Sequence, residues 1–272
     1  CNVDIGTSRV SRFGFDVDTD QLDSVFKRLG ALSNCSVEGL HCHISTSDRT
    51  TESYSRRTKR LLEIVDCHFT KTQPRFIDIG GGFFGKMPDD LKNQFDSYIP
   101  NYQEYAEAVA PQVKRQFPGS AGPELIMEPG LAIVSDVLKF VTKVVGVKTV
   151  RSRHIALVVG SVHNVNPTMT DKNLSLRVYR NEDNRKQRSI AGPVDIVGYT
   201  CLEHDCLYSN YPGEIGVEDY AVFDNMGAYT VVLKPPFIRP NPPIVGYDSI
   251  ENKYALVRRR ETSQDVFSTY VI

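Results

Sequence analysis

Strand-like and helix-like patterns alternate over the first half of the chain, and this alternation restricts the fold more than any other feature. Such alternation is typical of parallel α/β architecture. Strands are predicted at residues 1–5, 37–44, 75–79 and 124–127. Helices are predicted at residues 20–32, 51–68 and 102–117, with Asp18 and Thr19 placed to cap the first.

The second half of the chain differs, because helical periodicity stops near residue 137. Short β-rich runs, separated by turn residues, follow at residues 140–150, 154–160, 194–200, 220–224 and 228–233. They predict a mostly antiparallel β domain, and the proline-rich segment 235–243 predicts a rigid loop. We therefore predict an α/β domain over residues 1–138 and an all-β domain over residues 139–272.

The charge pattern argues against several classes of partner. The chain has 32 Lys and Arg against 33 Asp and Glu, a net charge of -1, which predicts binding neither to nucleic acid nor to an anionic membrane. The basic runs 56–60 and 258–260 lack interleaved aromatic residues and are predicted to be solvated.

No apolar run approaches the roughly 20 residues of a membrane span. Six cysteines without a CxxC pair predict a reducing cytoplasm.

Chemically distinctive residues stand at the carboxyl ends of the predicted strands. His41 and His43 close one strand, residues 80–82 (GGG) close the next, and residues 128–130 (EPG) close the third. Parallel α/β folds build their sites at these ends. Strand alternation places His41 and His43 on one face, and the glycine backbone favours an anion such as phosphate.

Other interpretations of these motifs remain open on spacing alone. Residues 80–85 match GxGxxG, although residues 86–88 (KMP) replace the helix of a dinucleotide site, and a tight loop without ligand is common. A metal site at residues 41–43 lacks a second ligand cluster at suitable spacing, so no metal is predicted. Cys201 near His204 suits either a thiol nucleophile or a small buried residue.

Taken in order, these segments resemble the fold-type III pyridoxal-phosphate enzymes, which include the diaminopimelate and ornithine decarboxylases and, more distantly, alanine racemase. The resemblance covers nearly the whole chain. It implies the C-terminal half of a (β/α)₈ TIM-like barrel, followed by a β-sandwich or Greek-key-like domain that contributes to the active site of a homodimer. The matching segments are residues 11–14 (SRFG), 39–44 (GLHCHI), 78–82 (DIGGG), 128–130 (EPG), 201 with 205, and 227–230 (GAYT).

The resemblance also implies roles for individual residues around pyridoxal 5'-phosphate. His43 stacks on the pyridine ring, and Glu128 pairs with the ring nitrogen, which keeps the ring an electron sink. Cys201 of the partner subunit reprotonates Cα after carbon dioxide has left. Arg12 pairs with Asp205 across subunits. The implied phosphate ligands are Thr46, Gly80, Gly81, Gly82, Gly130 and Tyr229.

Two departures from the family pattern bear on ligands. Leu131 stands where many relatives carry an arginine that contacts the phosphate, so weaker cofactor binding is expected. Leu202 replaces an acidic residue that holds the distal ammonium group of diamino acids, with Glu203 or His204 as its substitutes. The sequence therefore predicts a different amino-acid substrate, for example one joined to a carboxylate-bearing group.

A third departure is the absence of a lysine matching the family's Schiff-base lysine. A (β/α)₈ barrel typically needs about 250 residues, whereas four βα units fit before the β domain, so the sequence is predicted to be a fragment. The leading prediction is a pyridoxal-phosphate-dependent L-amino-acid decarboxylase. The alternatives are a decarboxylase-like regulator without cofactor and a racemase, although racemase relatives lack the Cys201-type segment.

Overall fold

The computed structural model of the chain describes residues 12–43, 49–119, 121–165, 171–181 and 189–271. It forms two compact units. The first unit comprises residues 1–87 and 92–135, and the second comprises residues 88–91 and 136–272. The sequence analysis placed the boundary after residue 138, whereas the compact units divide after residue 135.

The first half of the chain alternates helices and strands, in agreement with the predicted α/β pattern. Its three described strands form one parallel sheet in the order β1-β2-β3, with Gly39 opposite Phe76 and Phe76 opposite Glu124. The elements are α1 (Gln21–Gly30), β1 (Gly39–His41), α2 (Thr51–His68), β2 (Phe76–Gly81), α3 (Asp89–Lys92), α4 (Tyr102–Gln116), β3 (Glu124–Glu128), α5 (Gly130–Val134) and a 3-10 turn (Ser135–Val137).

Local signals explain where the long helices begin. The Thr50 side chain accepts a hydrogen bond from the Ser53 N–H at 3.2 Å and starts α2 at its predicted residue. Asn101 and Glu104 form a capping box at the start of α4. The first helix differs from prediction, because its N-cap is Asp20 rather than Asp18 or Thr19. The Thr19 hydroxyl accepts the Gln21 N–H.

The core of the first unit lies between its sheet and the helices α2 and α4. Ile77 and Ile79 alternate along β2 and are fully buried against this core. Because the strands are parallel, their carboxyl ends lie along one edge of the sheet. The buried members of the core are Cys42, Tyr54, Leu61, Leu62, Val65, Ile77, Ile79, Phe83, Phe84, Tyr105, Val109 and Ala132.

The second unit is rich in β structure, as predicted. Its largest described sheet has six strands in the order β6-β11-β4-β5-β8-β9, and the pair β5-β8 is parallel while the other pairs are antiparallel. Its elements are β4 (Phe140–Val150), β5 (Arg153–Val158), α6 (Val162–Val165), β6 (Leu176–Tyr179), β7 (Ser189–Ile190), β8 (Val194–Val197), β9 (Cys206–Tyr211), β10 (Ile215–Gly216), β11 (Tyr220–Phe223), α7 (Thr230–Leu233), β12 (Ile244–Asp248), β13 (Lys253–Arg258) and α8 (Ser263–Val266).

One predicted strand of the second unit is wrong. Residues 228–233 form no strand, and the helix α7 occupies Thr230–Leu233. Tyr229 precedes it with a φ of 61°, which is incompatible with an extended strand. A short apolar run fits a buried strand and a helical turn equally well. Among the described residues, no helix combines the length and apolar character needed to cross a bilayer.

Candidate functional site

The carboxyl ends of the three strands of the first unit bring two histidines and one glutamate together. Glu128 ends β3, with its Oε1 atom 3.6 Å from His41 Nε2 and its Oε2 atom 3.3 Å from His43 Nδ1. The intervening Cys42 is buried. The expectation that His41 and His43 share a face is therefore confirmed. All three charged or titratable side chains are substantially exposed, so a ligand has access to them.

A backbone hydrogen bond orients the His43 ring. The Gly81 N–H donates to His43 Nδ1 at 3.1 Å, which assigns the proton of a neutral ring to Nε2. In this tautomer Nδ1 is an acceptor and has no proton to give to Glu128. The Glu128 carboxylate therefore keeps acceptor capacity for a donor that a ligand would bring.

The glycine run after β2 is shaped by close backbone contacts. Gly80 has a φ of 71° and Gly82 a φ of 88°, and a Cβ on Gly81 would lie 2.5 Å from the Glu128 carbonyl oxygen. Two of the N–H groups expected to bind phosphate have partners in the chain. That of Gly80 donates to Asp78 Oδ1 at 2.8 Å, and that of Gly81 donates to His43. These two glycines therefore fit a structural role in this turn.

Gly130 differs from the glycines of β2. A Cβ on Gly130 would meet no atom within 4 Å, so the packing of the chain itself does not require glycine there. Open space beside a strand end fits close approach by a ligand. Together with the Glu128 carboxylate and the His43 ring at the same strand ends, this open position fits an anionic heterocycle such as pyridoxal phosphate.

Sequence analysis missed two residues that support the glycine turn. The Tyr54 hydroxyl donates to the Gly81 carbonyl oxygen at 2.7 Å, and Arg57 donates to the Ile79 carbonyl oxygen at 3.4 Å. The Arg57 guanidinium also lies over the Tyr54 ring at 4.0 Å. Burial raises the pKa of Tyr54 to about 12.

The predicted solvation of residues 56–60 is thus wrong for Arg57, which is 4% exposed. A detectable signal existed, because Tyr54, Arg57 and Leu61 follow the three-and-four spacing of one helical face.

The Cys201 segment lies in the second unit, on the loop between β8 and β9. Cys201, Glu203 and His204 are exposed, and Leu202 is half-buried. Asp205 is buried, and its carboxylate accepts hydrogen bonds from its own unit. The ring of His204 lies 6.2 Å from that of His163, measured between centroids.

Three further predicted residues have separate placements. The Arg12 guanidinium lies over the Phe13 ring at 4.0 Å, so its pairing with Asp205 of another subunit stays a prediction. Tyr229 is about half exposed at the start of α7. Thr46 lies outside the described residues.

The same strand-end cluster also has the composition of a metal site. Ligand atoms of His41, His43 and Glu128 all lie within 4.8 Å of one another. Glu128 supplies the additional ligand that the sequence analysis did not find. Two imidazoles and a carboxylate suit a transition-metal ion such as Zn²⁺. The geometry therefore admits a metal as an alternative ligand.

Two family models match the chain. Residues 1–135 match the pyridoxal binding domain of pyridoxal-dependent decarboxylases, and residues 102–227 match the C-terminal sheet domain of the same enzymes. The first match contains the strand-end cluster, and the second contains the Cys201 segment. A partial barrel followed by a sheet domain is consistent with these two models, although the second match begins at residue 102, within the predicted α/β half.

Individual relatives agree with the family models. The chain is 26% identical over 250 residues to the diaminopimelate decarboxylase of Vibrio cholerae, which covers 91% of this chain and 56% of that protein. It is 25% identical over 257 residues to that of Haemophilus influenzae, covering 93% of this chain and 58% of that protein. The chain thus spans just over half the length of these curated relatives.

Solved structures show the same fold. The crystal structure of diaminopimelate decarboxylase from M. jannaschii aligns with a TM-score of 0.80 at 20% identity, covering 96% of this chain and 58% of that one. The arginine decarboxylase of Paramecium bursaria Chlorella virus aligns with a TM-score of 0.66 at 20% identity, covering 84% and 58%. The two family models, which together match residues 1–227, show that the chain belongs to the fold-type III pyridoxal-dependent decarboxylase family.

Proposed function

We propose that the full protein catalyses the pyridoxal-phosphate-dependent decarboxylation of an L-amino acid or an amino-acid conjugate. The observation that carries this proposal is the position of Glu128, whose carboxylate lies beside His43 at the strand ends of the pyridoxal binding domain. An exposed carboxylate with remaining acceptor capacity suits the protonated nitrogen of a pyridine ring.

His43 and Glu128 have complementary roles in this proposal. When bound, pyridoxal phosphate supplies an electron sink for the electron pair left by the departing carboxylate. Glu128 accepts a hydrogen bond from the ring nitrogen and keeps it protonated. The His43 ring, held through Nδ1 by the Gly81 N–H, packs on the face of the pyridine.

The phosphate of the cofactor requires N–H and hydroxyl donors. We assign Gly82 and Gly130 as its backbone ligands, with the Tyr229 hydroxyl and Thr46 as side-chain ligands. Gly80 and Gly81 shape the turn, because their own N–H groups bind Asp78 and His43. This division modifies the expectation that all three consecutive glycines bind phosphate.

The proton required at Cα comes from the Cys201 thiol in this proposal. Cys201 is exposed on its loop, so it is accessible to a second molecule or to a substrate. We propose a homodimer in which Cys201 of one subunit completes the site of the other. Arg12 is assigned to the same interface. We also propose a cytoplasmic location, which the six cysteines without a CxxC pair support.

The proposal also requires a Schiff-base lysine and further barrel strands from outside these 272 residues. Among the described residues, β3 is an edge strand of the parallel sheet. A largely apolar cleft of about 430 Å³ lies beside it, lined by residues that include Tyr102, Met127 and Ile133. An uncovered strand edge with apolar neighbours suits additional strands that close a barrel.

Substrate choice follows from the relatives and from Leu202. Both curated relatives described above are named for diaminopimelate, so this compound is the first substrate to test. Leu202 cannot bind a distal ammonium group, whereas His204 and Glu203 are exposed beside it. We therefore place an amino-acid conjugate with a distal carboxylate second, ahead of lysine, ornithine and arginine.

The test is borohydride reduction of the full-length protein with pyridoxal phosphate, followed by intact-mass measurement and a carbon dioxide release assay. One reduced cofactor adduct per chain, mapped to a lysine upstream of residue 1, together with substrate-dependent carbon dioxide release, is expected. A full-length protein that forms no adduct and releases no carbon dioxide from any of these substrates would contradict the proposal.

A further inference from the structure

The buried carboxylate of Asp205 binds two separate stretches of the second unit. Its Oδ1 atom accepts the Ser161 hydroxyl at 3.1 Å and the Val162 N–H at 2.6 Å. Its Oδ2 atom accepts the Thr200 N–H at 3.0 Å and the Thr200 hydroxyl at 2.6 Å. The residue is 3% exposed. One side chain therefore joins the start of α6 to the loop that carries Cys201.

The backbone of the Cys201 loop closes around the same carboxylate. The Gly198 N–H donates to the Asp205 carbonyl oxygen at 2.8 Å, and the Asp205 N–H donates to the Leu202 carbonyl oxygen at 2.9 Å. The Asp205 carboxylate also fills the space where a side chain of Gly198 would begin. The backbone of the loop between residues 198 and 206 therefore folds closely around the Asp205 carboxylate.

The number of donors indicates what this carboxylate does. A carboxylate offers about four acceptor positions, and four donors of the same chain occupy them here. An ionised group with so little exposure is costly unless it is fully bonded, and this one is. Little acceptor capacity remains for the guanidinium of Arg12 from another subunit.

We infer that Asp205 is a positioning residue, which acts within its own chain to hold the Cys201 thiol in place for proton transfer. A proton donor has to lie within hydrogen-bond reach of the reacting atom, so a loop that moves loses transfer efficiency. This role rests on the proposed function of Cys201. It replaces the expected ion pair with Arg12 as the principal role of Asp205.

The experiment compares substitutions in the full-length protein by amide hydrogen exchange and by steady-state kinetics. Asp205→Asn replaces one acceptor oxygen by a donor, and Thr200→Val removes one hydroxyl donor without changing side-chain size. Thr200→Ser keeps the hydroxyl and is the matched control. If Asp205→Asn fails to fold, the two Thr200 variants still decide the question.

For Asp205→Asn and Thr200→Val, amide exchange over residues 198–206 is expected to rise about tenfold, while exchange in β4 stays unchanged. The value of kcat is expected to fall about tenfold, with KM and cofactor affinity within about twofold of the original. Thr200→Ser is expected to stay close to the original protein in amide exchange, kcat, KM and cofactor affinity.

Equal exchange in Thr200→Val and Thr200→Ser would overturn the inference. Faster loop exchange in Arg12→Gln, matching that of Asp205→Asn, would overturn it in favour of the ion pair. The proposed function is tested separately with Cys201→Ser. Full turnover in that variant would refute proton transfer by Cys201, whereas the exchange comparison would still decide whether Asp205 holds the loop.

Discussion

The Glu128 carboxylate of the first unit and the buried aspartates of the second unit differ in exposure and in hydrogen bonding. In the first unit, Glu128 has a side chain 46% exposed and lies near two histidines that are also exposed. In the second unit, four aspartates are at most 8% exposed, and each is bonded by N–H groups or cations. These aspartates are Asp195, Asp205, Asp219 and Asp224.

The two kinds of carboxylate differ in whether their oxygens already accept hydrogen bonds from the protein. Asp219, for example, accepts the Gly216 N–H at 2.7 Å and the Asn181 N–H at 2.9 Å, with Arg180 nearby at 3.7 Å. The carboxylate oxygens of Asp219 are occupied by donors of the protein itself, whereas those of Glu128 can still accept hydrogen bonds. Substitution of Asp219 should therefore affect stability first, and substitution of Glu128 should affect chemistry first.

A large loss of stability is expected for Asp219→Asn. The amide turns one acceptor into a donor that faces a backbone N–H, so unfolding should become easier by about 3 kcal/mol. Urea denaturation measures the change. The same substitution at the exposed Asp171 is the control and should stay within about 0.5 kcal/mol. Equal effects at both positions would contradict the claim that the buried, hydrogen-bonded Asp219 stabilises the fold.

Glu128→Gln is the matching test of the first unit. Carbon dioxide release should fall about 100-fold, equal to about 2.7 kcal/mol, because a neutral amide does not hold the ring nitrogen protonated. The free energy of unfolding should change by less than about 0.5 kcal/mol. Glu124→Gln, at the exposed start of the same strand, is the control and should leave turnover unchanged. A stability loss without an activity loss would contradict the assignment.

Tyr54→Phe tests the support beneath the glycine turn. Loss of the hydroxyl leaves the Gly81 carbonyl oxygen without its 2.7 Å donor, which should cost about 1 kcal/mol of stability. The effect of pH should also change. Burial raises the pKa of Tyr54 from 10.0 to about 12, so in this range the folded protein keeps a proton that the unfolded chain releases.

Stability should therefore fall as the pH rises from 10.0 to about 12, and this contribution should be missing in Tyr54→Phe. Urea denaturation across this range measures it. Tyr254→Phe removes an exposed hydroxyl and serves as the matched control. Parallel curves for the original protein and Tyr54→Phe would contradict the prediction.

His41→Gln should have the smallest effect on the cofactor and distinguish it from a metal. The contact between His41 and Glu128 is long and exposed, so cofactor affinity should change by no more than about threefold. Affinity for Zn²⁺ should fall by about tenfold or more, because one of three ligands is lost. Titration of the cofactor-free protein with each ligand measures both. A similar loss for both ligands would show that His41 also binds the cofactor.

Sequence reasoning succeeded where the signal was local. The helix α2 begins and ends as predicted because Thr50 caps it and its apolar face is regular. Strand alternation placed His41 and His43 on one face, and β4 has its predicted bounds. The ordered motifs identified the family. Each of these inferences depends on residues that are close together in the chain.

It failed where contacts between distant residues decide the outcome. The composition of residues 56–60 alone predicts exposure, and only the helical spacing of Arg57 from Tyr54 and Leu61 indicates its burial. The apolar run that ends at residue 233 contains a short helix, Thr230–Leu233, which follows the left-handed Tyr229. The bonding of Asp205 depends on Ser161 and Val162, more than forty residues earlier. The sequence around Cys201 does not by itself predict these two donors.

The close contact between Gly198 and Asp205 restricts which residues the two positions can carry in related proteins. Its missing side chain leaves the space that the Asp205 carboxylate fills, so these two positions are constrained as a pair. A substitution at residue 198 by alanine requires a shorter or displaced residue at 205. In an alignment of close relatives, the two positions should therefore covary. For protein engineering, the loop is best transplanted whole, from residue 198 to residue 206, together with the Ser161 and Val162 donors.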